Sequence, residues 1–224
     1  MPFVRFFVIF VVNLPPGPQR DSPGNTKIFL LYMTENFTTV AENIKNRRTI
    51  KPFMMNGHKI PNGHIAAILE LADWAPTHGY TEPWRFVVYE DPTQFCAAHA
   101  NIYRENTSDE DQNDAVANNL LHQGDKASHV IIAIMKRGNL PKIPAFEEMA
   151  STSCAVQNLL LGATALNIAS YWGTGGMTLK QGMKEYLNLG GDDHVMGVLY
   201  LGYADEHPEG KRTIPLEQKV SWVK

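Results

Sequence analysis

Ala75-Pro76-Thr77-His78-Gly79-Tyr80-Thr81-Glu82-Pro83-Trp84 joins the end of an amphipathic helical pattern to a hydrophobic strand pattern, Arg85-Phe86-Val87-Val88-Tyr89. A connection that only turned a corner could be shorter and blander. Here a proline near each end fixes φ and withholds an N–H, so neither helix nor strand can invade the loop. Between them stand hydroxyls, an imidazole, a carboxylate and a glycine. The loop is stiff and lined with hydrogen-bonding groups, which suits a planar polar ligand. An ordinary helix–strand connector is the plainer reading of the same residues.

Upstream, Asn46-Arg47-Arg48-Thr49-Ile50-Lys51-Pro52-Phe53 follows a short helical pattern set by Phe37, Val40 and Ile44. Adjacent guanidinium groups beside a hydroxyl suit a phosphate, which arginine grips with paired charge-assisted bonds. The alternative is a solvated basic helix end complementing the C-terminal dipole. Downstream, Ser170-Tyr171-Trp172-Gly173-Thr174-Gly175-Gly176 follows a nearly all-apolar segment from Cys154 to Ala169. That segment is too short and too interrupted by Gln157, Asn158, Thr164 and Asn167 to cross a membrane, and it reads as a buried central helix. The glycines after it let backbone amides approach a ligand closely. They form neither a Gly-x-Gly-x-x-Gly fingerprint nor a P-loop.

Periodicity predicts helices at 37–47, 62–74, 92–104, 112–123, 148–168 and 178–188, with Asn62 as an N-cap. Apolar and β-branched runs predict strands at 84–90, 129–136, 168–173 and 194–203. Helices outnumber strands, so the fold class is α+β in a three-layer α/β/α arrangement. The polar segment 104–126 reads as an exposed helix pair in preference to a mobile lid.

With 224 residues, 44% of them hydrophobic, the chain can bury one sizeable core. A net charge of −3 offers no basic face for nucleic acid. Cys96 and Cys154 form no CxxC pair, which argues against a disulfide framework or zinc site and suits a reducing compartment. Cys154, at the start of the apolar segment, is expected to pack. The apolar run Phe3–Val12 is too short to span a bilayer and has poor signal-peptide flanks. Residues 1–33 are expected to be a disordered or non-native extension, and 34–224 a single domain. His58, His64, His99, His122, His129, His194 and His207 show no HExxH or facial-triad spacing and read mostly as surface or strand-end residues. No metal site is expected.

Taken in order, Arg47-Arg48-Thr49, the Ala75-Pro76…Pro83-Trp84 loop, the Cys154-Ala155-Val156 segment and the Trp172-Gly173-Thr174-Gly175 turn resemble the nitroreductase family of FMN-dependent oxidoreductases, in its small single-domain branch. Leu199-Tyr200-Leu201-Gly202-Tyr203 and Lys211…Pro215-Leu216-Glu217 resemble the family's ending. No single motif is specific; the ordered set, covering roughly residues 36 to 222, is.

The resemblance implies a central, mainly antiparallel sheet flanked by helices, bound FMN, and NADH or NADPH as hydride donor. It implies a cytoplasmic homodimer reducing nitroaromatics, quinones or similar acceptors by a ping-pong mechanism, without nucleic-acid or membrane partners. The flavin carries the chemistry, so no catalytic side chain is assigned. By the same resemblance Arg47, Arg48, Thr49 and Lys211 would hold the phosphate and ribityl end. Trp74 and His78 would lie along the flavin, partly from the second subunit. Trp172, Gly173, Thr174 and Gly175 would cradle it. The chain also departs from the family: Thr77, His78, Tyr80 and Glu82 stand where many members carry Ser-Ser-x-Asn-x-Gln, and Gly173 stands where the small branch often has arginine. Those departures leave open a low-turnover flavin store or sensor, or another FMN reaction such as flavin breakdown or reductive dehalogenation.

Overall fold

The computed structural model describes residues 34–223, so the expected extension at 1–33 lies outside the described residues. The chain divides into two compact units, Met1–Ala41 and Glu42–Lys224. In the first, residues 34–41 begin helix α1 (Glu35–Asn46), whose first turn is capped where Thr34 Oγ1 accepts the Phe37 N–H at 3.2 Å. No residue of α1 is buried.

The second unit is built on four antiparallel strands in the order β1-β2-β4-β3: β1 (Trp84–Tyr89), β2 (His129–Met135), β3 (Ala169–Gly173) and β4 (His194–Gly202). Each lies within a residue of its expected bounds. β2 is buried along its whole length, as its unbroken Val-Ile-Ile-Ala-Ile run requires of a strand covered on both faces. Alternate residues serve opposite cores. Ile131 and Ala133, with Leu199 and Leu201 of β4, meet α2 (Asn62–Asp73) and α5 (Ala145–Ala165) through Ile65, Ile68, Ala155, Val156 and Leu159. Val130, Ile132 and Ile134, with Val198 and Tyr200, meet α3 (Pro92–Glu105) and α6 (Gln181–Tyr186) through Phe95, Cys96 and Met183. Each fully buried Ile or Leu contributes about 1.5–3 kcal/mol. The result is the three-layer α+β fold expected. The segment 104–126 holds one whole helix, α4 (Asp114–His122), rather than an exposed helix pair, and α4 packs on α3 and buries Ala117 and Leu120.

Several local expectations are corrected. α5 starts at Ala145, straight after Pro144, rather than at 148, and stops at Ala165 because Asn167 turns left-handed at φ 56°. Cys154 therefore lies inside this helix and faces solvent instead of packing. α6 is shorter than 178–188 because Lys180 is extended (ψ 161°). Asn62 does not cap α2, which Pro61 precedes without a side-chain cap; its Oδ1 lies 3.0 Å from His129 Nε2 instead.

Candidate functional site

At the end of α1 the chain bends out of the helix and lays Thr49 beside β3. Thr49 bridges to Ser170 in parallel, and the Ile50 N–H donates to the Ser170 carbonyl at 2.9 Å. Arg48 turns back. Its Nη1 donates to the Lys45 and Arg47 carbonyls at 2.6 and 2.7 Å, and its Nε to the Pro208 carbonyl at 3.1 Å. The basic-helix-end reading thus holds for Arg48, which satisfies an orphan carbonyl of the last turn. The same contact draws in the chain just before Lys211: a side chain at Gly210 would collide with the Arg48 guanidinium. The half-buried Arg47 guanidinium has no hydrogen-bond or ion-pair partner among the described residues, and Lys211 is exposed.

At the other end of β3 the Trp172 indole is fixed by an irregularity in its neighbour. β4 pairs Gly197 with Ala133 and Val195 with Ile134, so Met196 is bulged out of the ladder. Its freed carbonyl accepts the Trp172 Nε1–H at 3.0 Å. Gly197, at φ 144°, leaves the room that the indole fills; any Cβ there would strike Trp172 Nε1. Beyond Trp172, Thr174 and Gly175 are exposed, and space is open where a Gly175 side chain would stand. Thr174 lines a cavity of about 310 Å³ with Met149, Leu179, Lys184, His194, Val195 and Met196.

The Ala75–Trp84 loop is ordered by its own hydroxyls. Thr77 Oγ1 accepts the Glu82 N–H at 3.1 Å and lies 3.2 Å from Thr81 Oγ1. Tyr80 and Glu82 are left-handed, at φ 56° and 42°, a conformation that costs L side chains free energy. Gly79 packs on Leu140 and Ile143. That supporting segment is tied down by Glu148, 1% exposed, which pairs with Arg137 and accepts the Gly138 N–H at 3.1 Å. One residue earlier on α5, Glu147 faces outward and its Oε2 lies 2.7 Å from His78 Nδ1. His78 lines a groove with Pro76, Thr77, Phe146, Glu147, Ala150, Ser151 and Cys154.

One chain therefore brings together Arg47, Arg48, Thr49, Trp172, Gly173, Thr174, Gly175 and, through Arg48, the approach to Lys211. It does not bring His78 to them. The groove and the cavity share no residue and lie on different sides of α5, Met149 facing one and Glu147 the other. Trp74, 80% exposed, lines neither. Sequence reasoning missed His99, a buried residue of α3 whose Nε2 accepts the Met177 N–H at 2.9 Å. Its signal was available: His99 follows Phe95 and Cys96 at the four- and three-residue spacing of one helical face. His129 begins β2 as a strand-end residue but is buried as well. Among the described residues no helix is long and apolar enough to cross a membrane, and no group of three or more His, Cys, Asp or Glu could hold a metal ion.

A two-faced antiparallel sheet covered by helices, with a basic corner near one end of its edge strand and a glycine turn at the other, places the chain in the α+β class. The chain belongs to the nitroreductase family, whose sequence model matches residues 44–203. It is 25% identical over 183 residues to the Bacillus subtilis (strain 168) protein named "Putative NAD(P)H nitroreductase YfhC", covering 80% of this chain and 91% of that one. Among solved structures it resembles a nitroreductase-like family protein from Bacillus cereus, with TM-score 0.73, 25% identity, and coverage of 86% of this chain and 99% of that one. The fold is shared with the FMN-dependent nitroreductase NfnB of Mycobacterium smegmatis in complex with NADPH, at TM-score 0.63 and 18% identity over 84% of this chain and 99% of that one.

Proposed function

We propose that the chain is an FMN-dependent oxidoreductase of the cytoplasm that takes hydride from NADH or NADPH and reduces nitroaromatic, quinone or similar acceptors by a ping-pong mechanism, acting as a homodimer. The observation that carries this reading is the bridge of Thr49 to Ser170. It sets Thr49 beside Ser170 near one end of β3, about 13 Å at 3.3 Å per residue from Thr174 beyond the other, with the arginine pair just before Thr49. FMN is an elongated ligand with a dianionic phosphate at one end and a planar ring at the other. The residues fit it: a guanidinium without a partner and an exposed lysine serve one end, and an unobstructed backbone turn serves the other.

In this reading Arg47 and Lys211 hold the phosphate with charge-assisted bonds, Arg48 braces the corner, and Thr49 supplies a hydroxyl. Trp172 forms a fixed wall, while Gly173, Thr174 and Gly175 offer backbone and hydroxyl donors. When bound, the flavin supplies the two-electron chemistry that no side chain of the chain provides. Trp74 and His78 complete the pocket from a second copy, which accounts for two half-sites on opposite sides of α5. The apolar residues left in solvent support that assembly. Every residue from Asp205 to Val223 is exposed, including Ile214, Leu216 and Trp222.

A low-turnover flavin store or sensor is the second reading. It is favoured by the left-handed Tyr80 and Glu82, a bulky and a charged residue held in the Ala75–Trp84 loop against backbone preference. Visible spectra of the purified protein, recorded before and after anaerobic NADH or NADPH, test both. Bound flavin that bleaches and then reoxidises with a nitro compound or quinone is the expected outcome, with the flavin eluting in a dimer. Flavin that never bleaches favours the second reading. A colourless protein that FMN cannot reconstitute, or a monomer retaining stoichiometric flavin, overturns the pocket described here.

A further inference from the structure

We infer that His99 is a positioning residue that latches the turn after β3 and thereby pre-forms the ring end of the flavin site. This rests on the flavin reading above. His99 is 2% exposed and stands on α3, outside both the cavity and the groove. Its Nε2 accepts the Met177 N–H at 2.9 Å. Gly176, at φ 61°, sits directly against the ring: an added Cβ would lie 2.9 Å from His99 Nε2 and 2.8 Å from Leu120 Cδ2. The turn is therefore seated on α3 and α4 by one hydrogen bond and one side-chain-free contact, leaving Thr174 and Gly175 facing outward.

The chemistry of the imidazole is fully constrained. Because Nε2 accepts, the ring proton must sit on Nδ1. That Nδ1–H is buried with no hydrogen-bond partner among the described residues. A buried unmatched donor is a standing cost that native proteins seldom retain without a use. A tilted contact with Phe95, ring centroids 5.2 Å apart at 44°, packs the ring but uses neither nitrogen. Burial pushes the imidazole down to about 4, so Nε2 keeps its lone pair for Met177 at neutral pH. An apolar side chain would fill the space without the orphan donor, but would leave the Met177 N–H unpaired. What histidine adds over such a residue is a grip on the turn.

Substitution by glutamine and asparagine separates grip from bulk. Glutamine places Oε1 two bonds beyond Cγ, as histidine places Nε2, whereas the asparagine oxygen is one bond short. FMN affinity of His99→Gln is expected to stay within about threefold of the parent, while His99→Asn and His99→Leu weaken by about 10- to 100-fold, the loss of one buried hydrogen bond. Amide exchange without FMN is the second readout. The Met177 amide should exchange faster in the Asn and Leu proteins while β2 and α5 keep their protection. Equal FMN affinity in all three variants overturns the latch, as does turn exchange that rises only together with the sheet's. If the parent takes no FMN, the flavin reading falls, and exchange at Met177 still decides the latch.

Discussion

Two of the polar connections that carry expected site residues are each tied to the protein by a histidine, and the two histidines are of opposite character. Behind the turn after β3, His99 is buried, uncharged and bonded to a backbone amide. At the tip of the Ala75–Trp84 loop, His78 is largely exposed and bonded to the carboxylate of Glu147. The turn is held from inside by groups that cannot reorient without opening the core. The loop is held at its surface by a pair that water screens, worth well under about 1 kcal/mol. Its real support lies below, where Arg137 and Glu148 hold the segment on which Gly79 rests. Burial, rather than residue type, decides which imidazole sets geometry and which stays free to meet a ligand.

The sharpest way to break this comparison is to remove the support beneath the loop. Arg137→Met leaves Glu148 buried with only the Gly138 N–H, and loss of one partner of a buried ion pair costs about 3–5 kcal/mol. A lowered urea midpoint is expected, with amide protection lost at 75–82 and 136–144 but kept at 172–177. If the turn loosens as much as the loop, the two regions are not separately anchored.

Acid tests the other side of the comparison. Burial holds His99 at about 4 against an ordinary 6.5, and also depresses His129. Between those limits the unfolded chain binds protons that the folded chain refuses, so stability falls as pH drops from about 6.5 to about 4 and is fully present above that window. For His99 the interval corresponds to about 3 kcal/mol. Urea midpoints measured across this range should slope steeply in the parent, and His99→Gln should flatten the slope while keeping FMN. An unchanged slope in His99→Gln would mean that the imidazole is not excluded from water as its burial implies.

How far the sequence carried these distinctions depends on what each element answers to. The strands were legible because Val130–Met135 and Val195–Leu201 are apolar runs with clear boundaries, and both faces of the sheet are covered. Thr49 and Trp172, far apart in sequence, come to one strand because Thr49 bridges to Ser170 of β3, which also carries Trp172. The ends of α5 were not legible, since Pro144 and the left-handed Asn167 act through backbone geometry that apolar periodicity does not encode. His99 was hidden among the surface histidines, although its place on the Phe95–Cys96 face of α3 marked it as buried. No local pattern records that His78 and the turn after β3 lie on different sides of α5, because periodicity does not encode which side of a helix a distant loop will meet; only the family resemblance, which put Trp74 and His78 partly on a second subunit, allowed for it.

The smallest expected effect isolates what the loop contributes by itself. Tyr80 is 91% exposed and left-handed, so it gains little from packing and bears a backbone cost of about 1–2 kcal/mol. Glycine removes that cost but adds freedom to the unfolded chain, which returns about 0.4–1 kcal/mol. Tyr80→Gly should therefore raise stability by about 0.5–1 kcal/mol, read as a small increase in the urea midpoint, and leave FMN affinity unchanged. Turnover then divides the two readings of the protein. If Tyr80 only borders an open pocket, nitroaromatic reduction with NADH or NADPH keeps the parental rate. If the strained tyrosine is kept to obstruct the flavin face, its removal raises turnover without changing flavin content, and the protein's own function is closer to storing or sensing flavin than to reducing acceptors. A loss of stability would show instead that Tyr80 makes a stabilising contact that its exposure in the single chain does not reveal.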